Sequence, residues 1–348
     1  MEKYIDLLRS LISIPSFSKN EQEAAQIIRN FLSEQGISYT SQLNNTWAKN
    51  QFWKEGLPVI LLNSHIDTVK PASGYTRNAF SPDIENGILY GLGSNDAGGA
   101  LVTLLAVFVH FNQFDNLPFN LIYAASAEEE ISGTNGLESI LTEFGQISLA
   151  IVGEPTRMQM AIAEKGLMVL DCTAHGKSGH AAREEGENAI YKAIADIEKI
   201  RNYKFEKVSE ILGAVKMTVT LINSGTQHNV VPDLCTFVID VRTNEFYSNQ
   251  QACEIISQLI TSTVVPRSLR LNSSGISVTH PIVQRGISLG LSYYGSPTTS
   301  DQSVIPYPSI KIGPGDSARS HTADEYILVS EIEEGFGIYV DLLTNLIL

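Results

Sequence analysis

Two textures of apolar and polar positions divide the chain. In the first, helical stripes alternate with short runs of consecutive apolar residues. Ile5, Leu8, Leu11 and Ile12 recur at helical spacing until Pro15, which lacks an amide proton, stops them. Ser18 and Glu21 then stand at capping-box spacing, predicting a second helix that carries Ala24, Ile27, Ile28 and Phe31 and ends at Gly36. Val59-Ile60-Leu61-Leu62-Asn63 is an apolar run ending in a polar turn, the pattern of a strand buried on both faces. Leu121 to Ala125 and Ser148 to Val152 repeat it, each delivering acidic residues at its exit. Ala100 to Phe111 is apolar nearly all round but only about half the ~20 residues a membrane span requires, so it reads as a buried core helix. Strands alternating with helices predict an α/β domain with a mostly parallel, helix-flanked sheet.

After Lys165 the texture changes to alternation, as in Leu167 to Thr173 and Val215 to Thr220, which suits a half-exposed antiparallel sheet. Helical stretches near Asn188–Ile200 and Ser248–Ser262 are interleaved with strands near Leu212–Asn223, Leu234–Val241 and Ser268–Asn272. The order strand, helix, strand, strand, helix, strand is the split βαβ, or ferredoxin-like, α+β arrangement. It predicts an inserted domain at 165–276, with 1–164 and 277–348 forming the first domain.

Composition narrows the function. With 43% hydrophobic residues in 348, the chain has the make-up of a folded globular protein. A net charge of −14 without a Lys/Arg cluster argues against nucleic acid as partner. Cys172, Cys235 and Cys253 are odd in number and lack a Cys-x-x-Cys spacing, so neither a disulfide framework nor a thiolate metal site is expected. The opening residues lack the apolar core of a signal peptide, and a cytoplasmic protein without membrane association is expected.

Five short segments carry candidate chemistry: Ser64–Thr68, Gly93–Asp96, Ala127–Glu130, Val152–Pro155 and Ser320–Glu325. Each sits where an apolar run gives way to a turn, the place where α/β folds gather functional groups. Taken singly, a histidine at a strand end or a run of glutamates is ordinary. Together they offer imidazole nitrogen and carboxylate oxygen, which zinc accepts. Two adjacent ions need one bridging carboxylate and two further ligands apiece, and His65, Asp96, Glu130, Glu154 and His321 supply five. Asp67 is placed to accept the other imidazole N–H of His65. Glu129 and Glu130 can point differently, so one binds metal while the other takes the proton of the attacking water.

These motifs resemble those of the zinc-dependent M20 family of metallopeptidases and amidohydrolases, over nearly the whole chain. The resemblance implies two Zn2+ ions, with Co2+ or Mn2+ as substitutes. His65 and Glu154 would hold one ion and Glu130 and His321 the other, with Asp96 shared and Glu129 as general base. Two positions depart from the family pattern. Asp96-Ala97-Gly98-Gly99 stands where Asp-Met-Lys-Gly is common, and Glu128 replaces the usual Asp before the glutamate pair. No ligand or base is lost, so activity is expected to survive, and any effect is expected on substrate preference.

The likeness extends into the inserted domain. Gly176 to Ala182 resembles a lid motif whose histidine, here His180, stabilises the developing oxyanion in the partner subunit's active site. Asn229 and Arg242 match substrate-holding segments, Arg242 as a bidentate carboxylate clamp. The resemblance thus implies a homodimer through a lid and dimerisation domain. The substrate expected is a small N-acyl amino acid, as in the acetylornithine deacetylase branch and its succinyl- or citrulline-using relatives, with a place in arginine biosynthesis. A dipeptidase or aminoacylase is the alternative within the family. A non-catalytic binding protein on this fold is opposed by the intact Glu129 and full ligand set.

Overall fold

The structure, a computed structural model describing all 348 residues, packs as two units. The first comprises Met1–Ile162, Gly275–Tyr294 and Ser300–Leu348, and the second Ala163–Ser274 with Gly295–Thr299. The return of Gly295–Thr299 to the second unit is marked by no change in sequence texture.

In the first unit, β1 (Thr40–Gln42) and β2 (Asn45–Lys49) form a hairpin at one edge of the sheet. The order then runs through β4 (Asn120–Ser126), β3 (Val59–His65), β5 (Leu149–Val152), the strand Ser309–Lys311 and β6 (Met160–Glu164). The four inner strands are mutually parallel, and β2 and β6 join them antiparallel. Strand alternation splits the side chains between two cores. Ile60, Leu62, Leu121, Tyr123, Leu149 and Ile151 share one with α1 (Glu2–Ile12), α2 (Gln22–Glu34), α3 (Gly99–Phe111) and the C-terminal helix Val329–Leu343. Val59, Leu61, Ile122, Ala124, Ala150 and Val152 share the other with the short helix Leu137–Phe144. Burial on both faces, worth about 1.5–3 kcal/mol per large side chain, explains why these strands read as unbroken apolar runs. α3 is likewise a core helix, every residue from Ala100 to Phe108 being at most 2% exposed.

One expected feature is replaced. Ser18 does not cap α2, whose N-terminus carries no side-chain cap. Its hydroxyl donates instead to Asp67 Oδ2 at 2.7 Å, because Pro15 and the turn after it carry Ser18 back over the exit of β3.

The second unit is a four-stranded antiparallel sheet with order β8–β9–β7–β10, where β7 is Met168–His175, β8 Lys216–Ser224, β9 Leu234–Arg242 and β10 Thr263–Pro266. Together with α4 (Ala189–Asn202) and α5 (Asn249–Leu259) it has the split βαβ order. Met168, Leu170, Cys172, Phe237, Ile239 and Val241 pack on one face against these helices. Asn188 caps α4, and Ser248 with Gln251 forms a capping box on α5. The last strand lies at Thr263–Pro266 instead of the expected Ser268–Asn272. Val264 and Val265 pair with Cys172 and Asp171, whereas the later segment loops over Asn249, whose amide donates to Leu271 O at 2.7 Å.

Asp196 of α4, buried, ties that helix to the chain leaving α5. Its Oδ2 accepts the N–H groups of Thr261 (3.0 Å) and Ser262 (2.8 Å) and both hydroxyls. Burial alone would raise its pKa, but these donors hold it below the ordinary carboxylate value. Its contribution to stability is therefore complete above the unfolded value of about 4 and is lost as pH falls through the lower folded value. Asp196→Asn should cost about 1–3 kcal/mol in urea unfolding at pH 7 and flatten the acid limb of stability. Equal acid sensitivity in variant and wild type would exclude this role.

Candidate metal centre

The six residues predicted as ligands or base all lie in the first unit, beyond the carboxyl ends of its inner strands. His65 ends β3, and its Nδ1 lies 2.9 Å from the carbonyl oxygen of Asp67. A carbonyl only accepts, so Nδ1 carries a proton, which turns Nε2 toward the carboxylates as the nitrogen a metal would bind. That Nε2 stands 3.3 Å from Asp96 Oδ1, 3.8 Å from Glu154 Oε1 and 3.9 Å from Glu129 Oε2. The other oxygen of Asp96 is 3.6 Å from His321 Nε2, which in turn is 3.1 Å from Glu130 Oε2. Asp96 thus lies between two imidazoles, with Glu154 beside His65 and Glu130 beside His321. Donor atoms of His65, Asp96 and Glu130 fall within 4.8 Å of one another, as do those of His65, Glu129 and Glu154.

Asp67 meets the His65 ring twice: its main-chain carbonyl is the nearer partner of Nδ1, and its carboxylate Oδ1 stands 3.5 Å from the same nitrogen. The carboxylate accepts the N–H groups of Glu129 (3.0 Å) and Glu130 (3.1 Å). Burial would raise the pKa of Asp67, but the His65 ring, the Ser18 hydroxyl and the Glu130 N–H hold it low.

Two further residues escaped the sequence reading of roles. Glu325, buried, accepts the N–H groups of Gly93 (3.1 Å), Asn95 (2.9 Å) and Asp96 (2.9 Å). The Asn95 side chain accepts the N–H of Asp316 at 2.9 Å and donates to its carbonyl at 3.1 Å. The Asp96 turn and the segment leading to His321 are therefore fastened to each other on both sides. Glu325 stands in a segment already singled out for its histidine, but nothing in the order of residues reveals a carboxylate turned toward main-chain amides.

Of the two departures from the family pattern, Ala97 and Gly98 are buried beneath the turn. A Cβ on Gly98 would stand 2.4 Å from Gly93 O and 2.6 Å from Leu8 Cδ1, so this backbone has no room for the larger pair. Glu128 adopts a left-handed φ of 56°, and its carboxylate accepts the Asn135 amide at 3.1 Å.

The charges explain what the centre is suited to hold. Four carboxylates meet two imidazoles in a mostly buried site. Burial and the neighbouring Asp96 push Glu154 up to about 8, and burial with Glu154, Asp301 and Glu130 pushes Glu129 well above its ordinary value. His321 is raised to about 9 by its bond to Glu130, and His65 is raised by Glu129, Asp67 and Asp96 although burial opposes it. Side chains that repel one another this strongly are stabilised by cations, and a set of imidazole nitrogens and carboxylate oxygens around a shared Asp96 fits two divalent ions.

The remaining predicted residues belong to the second unit. His180, exposed, accepts the Ala182 N–H at Nδ1 (3.1 Å), which leaves Nε2–H as a free-facing donor. Asn229, also exposed, accepts the Ala181 N–H at its carbonyl (3.0 Å). Arg242 already grips a carboxylate of its own strand, Asp240, at 2.9 and 3.1 Å, with Thr299 Oγ1 at 3.4 Å.

Residues 61–345 match the sequence profile of peptidase family M20/M25/M40. The chain belongs to this family, and is a hydrolase of its metal-dependent, amide-cleaving class. Among similar proteins, the succinyl-diaminopimelate desuccinylase of Wolbachia pipientis wMel is 24% identical, over 98% of this chain and 92% of that protein. The desuccinylase of Corynebacterium glutamicum is 27% identical, over 95% and 93%. Among solved structures, aminopeptidase PepT of Bacillus cereus superposes with a TM-score of 0.78 at 17% identity, covering 98% of this chain and 97% of that one. YXEP of Bacillus subtilis, described as a dinuclear metal-binding peptidase of family M20, gives 0.74 at 17% identity over 98% and 97%. The place in arginine biosynthesis expected from the acetylornithine likeness finds no support in these relatives.

Glu325→Ala leaves three amides without their acceptor and should lower stability by at least about 2 kcal/mol in urea unfolding. Glu325→Gln keeps the oxygen that serves Asn95 and Asp96 and should lose less. An unchanged midpoint in the alanine variant would show that the turn does not depend on this carboxylate.

Proposed function

We propose that the chain hydrolyses the amide bond of a small N-acyl amino acid, an N-succinyl diamino acid being the favoured class and N-acetylornithine the next. The carrying observation is Asp96, whose two oxygens address His65 and His321, each with its own glutamate. The desuccinylase relatives, aligned over nearly the whole chain, support the acyl group chosen. His65, Asp96, Glu130, Glu154 and His321 would hold two zinc ions. When bound, these supply Lewis acidity that activates water and the amide carbonyl. Glu129, beside His65 and outside that ligand set, takes the proton of the attacking water and delivers it to the departing nitrogen, so that carboxylate and amine leave with the water's atoms divided between them.

Hydrolysis of N-succinyl-diaminopimelate, N-succinyl- and N-acetylornithine and several dipeptides should be measured beside elemental analysis. Two divalent ions per chain and loss of turnover on chelation are expected. Full activity at one ion would remove the shared-Asp96 arrangement, and turnover of dipeptides alone would favour a peptidase. Glu129→Ala should keep both ions and lose ~10²–10⁴-fold in kcat, whereas Glu130→Ala should lose metal. Exchange of these phenotypes would shift the assignment by one residue.

The enzyme is proposed to act as a homodimer joined through the second unit, with His180 serving the partner's centre. β8 is an edge strand that leaves Leu221 and Ile222 exposed, a surface suited to burial by a second copy. Mixed dimers of Glu129→Ala and His180→Ala chains should recover activity, since one site in each would carry both wild-type residues. Verified mixed dimers that stay inactive while folded and metal-loaded would exclude action in trans.

A further inference from the structure

Pro15 follows the end of α1, and the residues after it run along the exit of β3 before α2 begins. The N–H of Thr68 donates to Ser16 O at 2.9 Å, and Phe17 bridges Thr68 in parallel. These contacts bring the Ser18 hydroxyl to Asp67 Oδ2. Lys19 then takes a left-handed φ of 74°, and Glu21 enters the interior fully buried. A carboxylate buried there requires donors. Its Oε1 accepts the N–H groups of Lys19 (2.6 Å) and Glu128 (3.3 Å), and its Oε2 accepts the Asn44 amide at 2.8 Å.

Both residues act on one short turn. Asp67, braced by Ser18, accepts the N–H groups of Glu129 and Glu130, while Glu21 accepts that of Glu128. Three successive amides are thus fixed by two carboxylates. The turn needs such support, because a left-handed backbone at a residue with a side chain persists only where its surroundings hold it. Close packing continues this hold. A Cβ on Gly133 would stand 2.5 Å from Glu128 Cβ, an atom that cannot turn aside, so glycine lets the turn close over the Glu128 side chain.

We propose that Ser18 and Glu21 are positioning residues of the centre. They fix the Glu128–Glu130 turn so that the Glu129 carboxylate stays on the His65 side while Glu130 is held toward His321. The inference rests on the hydrolytic reading of Glu129 and Glu130. It also assigns a part in the centre to a segment that precedes the region matching the family profile, which begins at residue 61. Neither residue reaches the substrate through this network, so its loosening should reduce kcat more than it changes KM.

The test uses the zinc-loaded full chain for kinetics and the Co2+-loaded chain for its visible absorption, with thermal unfolding to check folding. Ser18→Ala should lower kcat about tenfold, less than the ~10²-fold of a 1 Å misplacement, with KM within about twofold. It should also alter the Co2+ spectrum, through Glu130, and Ser18→Thr, which keeps the hydroxyl, should restore both. Glu21→Gln should stay close to wild type, because its oxygen still serves Lys19 and Glu128 and the Asn44 amide can turn over to accept. Glu21→Ala should follow Ser18→Ala, and if it fails to fold the serine pair decides. A folded Ser18→Ala enzyme with kcat and Co2+ spectrum unchanged, or with KM alone raised, overturns the inference. Loss of activity in Glu129→Gln beside such a result overturns the inference only, whereas full activity in Glu129→Gln removes the hydrolytic reading and the inference with it.

Discussion

Mutual repulsion among carboxylates crowded at the end of a buried sheet is the constraint on which this structure turns. Asp96, Glu129, Glu130 and Glu154 converge on His65 and His321 with little water to screen them. Such a group keeps its geometry only if the backbone beneath it is held from outside. Main-chain amides do much of that holding: Glu325 takes three from the Asp96 turn, and Asp67 and Glu21 take three from the Glu128–Glu130 turn. The carboxylates that face the centre are backed by carboxylates that face away from it, each satisfied by N–H groups.

The rigid platform for this arrangement is the four-stranded parallel core, covered on both faces. Residues at strand exits inherit positions from strands that cannot slide without moving apolar side chains into the wrong layer. Gly153 shows how tightly the exits are packed: a Cβ there would lie 2.7 Å from Leu104 Cδ1 of α3. Glu154 therefore leaves β5 against the core helix itself.

Much of this was legible in the sequence, and the limits have a physical pattern. Val59 to Leu62 announced a doubly buried strand because both faces are apolar, and His65, Asp96, Glu129, Glu130, Glu154 and His321, singled out as side-chain types that a metal accepts at strand exits, do converge on one place. Capping of α2 was misjudged because the helix begins only at Gln22, which leaves Ser18 outside it, where its hydroxyl donates to Asp67, distant in sequence and invisible to local spacing. Asp67 does face the imidazole, but a two-residue separation could not show that its carbonyl lies nearer to the ring than its carboxylate. The last strand of the second unit lies a few residues before the expected one, at Thr263–Pro266, where its valines pair with β7. Glu325 and Asn95 work by binding backbone, a role that leaves no signature in residue type.

The strand order carries a consequence for the nascent chain. Ser309–Lys311 lies between β5 and β6, strands made some 150 residues earlier and followed by the entire second unit. Until that strand emerges, the sheet has an open slot with unpaired amides along β5, and His321 has not yet been made. Five of the six groups in the centre exist on the ribosome long before the sixth can close it. A chain that ends before Ser309 thus lacks both the strand that pairs β5 and the histidine that faces Glu130, so sheet and centre depend on the same late segment.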